Sequence, residues 1–170
     1  MEINKQNPVI HFLQCLIQHY DPDRYWRYRE KVMTPTNNKI TLGLNYIRLM
    51  YIKWCDAYNT ATLGTDIGRG AQFASRPNFP HGLNNIMIQK NCKIGKNACI
   101  CHHVIICDNG KGEFEAPTIG DNVIIGAGAI IVGKITIGDN VKIGAGALVV
   151  EDVPNGATVV SPKARIILKP

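Results

Sequence analysis

Residues 119–154 read IGDNVI IGAGAI IVGKIT IGDNVK IGAGAL VVEDVP, six consecutive blocks of six. The first positions are Ile119, Ile125, Ile131, Ile137, Ile143 and Val149. The fifth are Val123, Ala129, Ile135, Val141, Ala147 and Val153. All twelve are apolar. The chain is 45% hydrophobic, so chance gives this in about 7 of 100,000 cases per phase. A period of six is neither the 3.6 of a helix nor the 2 of a strand. Three blocks make a coil with three flat faces, its aliphatic first and small fifth positions pointing inward. Stacked coils bury one aliphatic column and pair through parallel ladders, as in the parallel β-helix of hexapeptide repeats. Gly at the second position is expected to supply a turn with φ > 0. The Asp-Asn and Lys-Asn that follow also tolerate turns.

The phase extends back through Ile88, Ile94 and Ile100, with a further copy, IGRGAQ, from Ile67. It breaks twice. CDNGKGEFEAPT, residues 107–118, is polar and reads as a loop thrown out of the coil, a candidate cover for a site. FASRPNFPHGLNN, residues 73–85, reads as a second insertion and carries His81. Loops on a rigid repeat are where function concentrates.

Upstream the composition changes. Both Trp and all six Tyr precede residue 60, and fifteen of sixteen Gly follow it. We expect a helical cap over residues 1–60 and a coil domain over 61–170. Three helices are expected: Pro8 to Tyr20; a second opening on Asp21 as N-cap and Pro22; and Thr41 to Tyr58. The third is apolar on most sides at Leu42, Tyr46, Leu49, Met50, Trp54 and Tyr58, as for a helix packed in a core or on another subunit.

The 170 residues carry a net charge of +6, +3 of it in residues 1–58 and +3 in the rest. That even spread is unlike a nucleic-acid binder and suits a solvated surface or attraction of an anionic substrate. The apolar run IIGAGAIIVG is too short and glycine-rich to span a bilayer. Met1 to Lys5 has no leader pattern. Six cysteines are too sparse for a disulfide scaffold. A cytoplasmic location with reduced thiols is expected. Cys99, Cys101, His102, His103 and Cys107 hold zinc-ligand chemistry but no CxxC spacing, and no metal is expected.

With these motifs the chain resembles the hexapeptide-repeat acyltransferases, on their serine acetyltransferase-like branch. The resemblance covers about residues 64–170. It rests on IGRG at 67–70, Pro-His-Gly at 80–82, IGKNACI at 94–100, the run 119–154 and the ending SPKARIILKP. It implies a mainly β fold, a left-handed parallel β-helix with a small helical cap, working as a homotrimer. It also implies acetyl transfer from acetyl-CoA to a hydroxyl. A hydroxyl attacks once a base takes its proton, and imidazole titrates near neutrality. His81 stands at the family's catalytic position. Ala127 and Ala145 match the turns along which CoA lies, Lys163 and Arg165 are candidates for its phosphates, and His102 and His103 are candidate acceptor contacts. The serine-specific enzymes have Asp before the catalytic His and Arg-His before the restarting Pro. Here these are Pro80, and Glu115-Ala116 before Pro117. The orienting carboxylate falls near Thr60, leaving Asp56 or Asp66 as substitutes. These departures favour a sugar hydroxyl of a cell-surface polysaccharide or its precursor, with L-serine in cysteine biosynthesis as the alternative. Two other readings differ in class: a non-catalytic trimeric scaffold, and a zinc-dependent lyase.

Overall fold

The computed structural model describes Cys15 and residues 19–110, 115–163 and 166–167. The first expected helix therefore lies largely outside the described residues, as do residues 111–114 of the expected 107–118 loop and Arg165. Helix α1 spans Pro22–Met33, and Asp21 caps it by accepting from the Arg24 N–H at 3.0 Å. Pro22 fits the first turn, where its missing N–H has no helical partner. Helix α2 spans Lys39–Tyr58, capped by Asn38. Neither helix is long and apolar enough to cross a membrane.

Among the described residues twelve short strands follow: β1 Gln72–Phe73, β2 Met87–Ile88, β3 Lys93–Ile94, β4 Cys99–Ile100, β5 Ile105–Cys107, β6 Thr118–Ile119, β7 Ile124–Ile125, β8 Ile130–Val132, β9 Thr136–Ile137, β10 Lys142–Ile143, β11 Leu148–Val149 and β12 Thr158–Val159. They form three parallel four-stranded sheets. Sheet 1 is β1-β3-β6-β9, sheet 2 is β12-β10-β7-β4 and sheet 3 is β11-β8-β5-β2. The chain visits the sheets in turn, so each strand pairs with one a full coil away, such as Ile124 with Lys142. The result is the left-handed parallel β-helix. First and fifth positions fill its axis: Ile88, Ile100, Ile106, Ile125, Ile131, Ile137, Val123 and Val141 are fully buried. Each such side chain contributes about 1.5–3 kcal/mol.

The glycines behave differently from expectation. Positive φ falls at the fourth position of the block: Asn97, His103, Asn122 and Asn140, or Gly128 and Gly146. Second-position glycines are needed for space. A Cβ on Gly126 would lie 2.6 Å from the Ala145 nitrogen, and one on Gly120 2.8 Å from the Gly138 carbonyl carbon. Coils stack backbone on backbone there.

Residues 73–85 also differ from an ejected loop. Asn78 bridges Cys99 on sheet 2 before β2 joins sheet 3, so the segment closes a complete uppermost coil with stretched corners. The cap sits on this coil through buried Arg29. Its guanidinium donates to Thr65 Oγ1 at 3.0 Å and to the Leu63 and Ala71 carbonyls. It also lies over the Phe73 ring at 4.6 Å. Trp26 packs edge-on against Phe73. Helix α2 buries Asn45, Ile52, Cys55 and Asp56 and exposes Ile47, Met50, Trp54 and Tyr58, so much of its apolar surface lies outside this chain's core.

Candidate active site

The corner between sheets 2 and 3 gathers most of the residues singled out from the sequence. Third-position residues stack there coil by coil. The His103 N–H donates to the Asn84 carbonyl at 3.1 Å, the Gly128 N–H to His102 at 3.1 Å, and the Gly146 N–H to Ala127 at 2.9 Å. The Ser161 hydroxyl closes the row on the Gly146 carbonyl at 2.7 Å. Asn84, His102, Ala127, Ala145 and Ser161 thus descend one edge. At the usual strand spacing that edge is about 19 Å long.

What this edge offers is clear from its neighbour. At the corner between sheets 1 and 2, the third position is Asp121 or Asp139, followed by Asn155 in the last coil. Each side chain caps the third-position N–H above: Asp121 takes Lys96 at 2.6 Å, Asp139 takes Asp121 at 2.7 Å, and Asn155 takes Asp139 at 2.8 Å. An Asn ladder, Asn97 to Asn122 to Asn140, runs beside them. On the sheet 2–3 edge, Ala127 and Ala145 have no such side chains. Among the described residues their N–H groups make no coil-to-coil hydrogen bond. A backbone donor in that position is a standing demand for a partner. The alanines make room for one.

His81 heads this edge. Its side chain is exposed, its carbonyl accepts from Asn84 Nδ2 at 2.8 Å, and its ring stands edge-on to His102 at 4.9 Å. His103 turns away toward Asn85, whose amide lies 3.3 Å from its Nε2. Lys163, exposed, lies two residues past Ser161. The carboxylates proposed to orient His81 are engaged elsewhere. Asp56 is buried and accepts the Tyr25 hydroxyl at 2.7 Å. Asp66 accepts the Ile67 N–H and pairs with Arg69. Sequence reading missed the buried Tyr25–Asp56 pair and Arg29. It also missed Asn84 and Asn85 beside His81, for which the Asn-Asn turn dipeptide was the available signal. Among the described residues no group of three or more His, Cys, Asp or Glu side chains is placed to hold a metal. A groove of about 460 Å³ lined by Lys93, Thr118, Lys134 and Thr136 lies on sheet 1, away from His81.

Known proteins share this coil. Residues 116–150 match the bacterial transferase hexapeptide (six repeats) family, and residues 85–111 the hexapeptide repeat of succinyl-transferase. The chain is 41% identical over 105 residues to serine acetyltransferase of Staphylococcus xylosus, covering 61% of this chain and 48% of that one. It is 39% identical over 109 residues to the Helicobacter pylori enzyme, covering 62% of each. Soybean serine acetyltransferase complexed with serine superposes with a TM-score of 0.65 at 28% identity, over 96% of this chain and 64% of that one. Its apoenzyme gives 0.61 at 31%, over 82% and 54%. The chain spans about half to three-fifths of the length of the curated relatives it matches. In its repeats, its closed three-sheet coil and these matches, the chain is similar to the hexapeptide-repeat acyltransferases of the serine acetyltransferase-like branch.

Proposed function

We propose that the protein is an acetyl-CoA-dependent O-acetyltransferase with His81 as general base. The observation that carries this is one edge on which an exposed imidazole heads a row of Ala127 and Ala145 N–H groups left unused among the described residues. Those donors suit the amide-bearing arm of CoA, and Lys163 at the lower end suits its phosphates. The acceptor hydroxyl gives its proton to His81 as its oxygen attacks the thioester carbonyl carbon. The carbon–sulfur bond then breaks, and the thiolate takes the proton back from His81 to leave as CoA. Preorganised N–H donors stabilise the oxyanion between these steps.

L-Serine is the acceptor that the relatives' names favour over a sugar. The observation favouring a sugar is the departure at Pro80, Glu115 and Ala116 from the serine enzymes' pattern. Thiol release from acetyl-CoA, measured with L-serine and with a panel of sugars and nucleotide sugars, separates the two. Replacing His81 by Ala should lower kcat at least ~100-fold with either acceptor. Near-normal turnover in a folded His81→Ala variant would end the general-base reading. CoA binding without turnover on any acceptor would point to a scaffold.

The working unit is a homotrimer in this reading. Outward residues of sheet 1 are Gln72, Lys93, Thr118 and Thr136. Those of sheet 3 are Met87, Ile105, Ile130 and Leu148, an apolar column. Such a face asks to be covered, and cyclic closure through it sets the His81 edge of one copy beside the opposite edge of the next.

A further inference from the structure

We propose that His102 is the positioning residue for His81, filling the place a carboxylate would take. This rests on the acetyl-transfer reading of His81. Three observations lead to it. The two rings stand perpendicular with centroids 4.9 Å apart. His102 Nδ1 is sealed from solvent and, among the described residues, has no hydrogen-bond partner. The candidate carboxylates face other groups: Asp56 accepts the Tyr25 hydroxyl through Oδ1, and Asp66 accepts the Ile67 N–H and pairs with Arg69.

A buried nitrogen without a partner costs about 1–3 kcal/mol. Nothing in the coil requires it, because the same corner carries Ala127 and Ala145 in the next two coils. His102 is also held firmly. Its carbonyl takes the Gly128 N–H, and its neighbour His103 is fixed by the Asn84 carbonyl and by Asn85. A small ring rotation lets a His102 nitrogen lone pair accept one N–H of His81. The other His81 nitrogen is then unprotonated and faces the acceptor. Catalytic hydrogen bonds of this kind often tighten only when substrate arrives. His102 fixes the tautomer and takes no proton from the substrate.

Around His102 the titratable side chains the structure places are His81, His103 at 5.2 Å and, next in the chain, Cys101. The test combines kinetics with an NMR titration of the His81 ring in His102→Ala and His102→Gln. Ala suits this corner, so folding should survive. We expect kcat to fall at least about tenfold with the KM for acetyl-CoA changed less than about twofold. Gln should recover part of the loss. The His81 NMR curve should differ from the wild type's in both variants. Wild-type kcat together with an unchanged His81 curve would overturn the proposal. If the wild type releases no thiol with any acceptor, the acetyl-transfer reading falls, and the His81 curve alone decides whether the pair exists.

Discussion

Asp56 is only 3% exposed, and burial pushes its carboxyl up to about 6, against the pull of the Tyr25 hydroxyl, Lys53 and Arg29. The folded protein therefore holds this proton more tightly than the unfolded chain does. The resulting stability is fully present below the ordinary carboxylate value and is lost as pH rises through about 6. Two units correspond to about 3 kcal/mol. Urea melts from pH 4 to 8 should show the wild type losing most of this margin by pH 7, whereas Asp56→Asn should show a flatter profile. Parallel profiles would mean that Asp56 stays ionised in the fold. None of this was legible in the sequence, where Asp56 stood out only as a substitute for the missing carboxylate. A buried charge pattern depends on which helix face meets the coil. On α2 that face is Asn45, Ile52, Cys55 and Asp56 rather than its aromatic side.

At the scale of the element, the block of six was readable because each short strand sends one aliphatic side chain inward. The meaning of its glycines was not readable. A glycine kept for left-handed backbone and one kept for space look alike in a sequence; only stacked coils tell them apart. The distinction has a measurable consequence. Gly126→Ala sets a Cβ against the backbone of Gly144 and Ala145 and should cost about 1–3 kcal/mol or more, parting β7 from β10. Gly128→Asn should cost less than about 1 kcal/mol, since Asn122 and Asn140 already adopt that φ in sister blocks. Equal losses in chemical denaturation would refute this division of labour. The meeting of His81 and His102 was likewise hidden. They are 21 positions apart, and their approach depends on how the stretched upper coil turns its corners, which no block of six encodes.

For the whole molecule, the three sheets differ in what they show the outside. Sheet 3 carries the apolar column, with Leu148 64% exposed. Leu148→Glu together with Ile130→Glu should convert the proposed three-chain species into single chains by light scattering. Activity should fall with it if the neighbour completes the site. A double variant that keeps its three-chain mass would move the contact to the exposed side of α2.

The spacing of paired residues, with Ile130 facing Leu148 and Thr118 facing Thr136 eighteen positions on, makes the coil a vernier for insertions and deletions. Removing eighteen consecutive residues subtracts one storey and leaves every remaining edge in line. Removing six leaves each strand as good a strand as before but rotates everything downstream by a third of a turn. The segment from Gly144 to Ala147 would then sit on a different edge from His81. Length in this protein is therefore quantised by function in whole turns, although the fold itself would accept thirds.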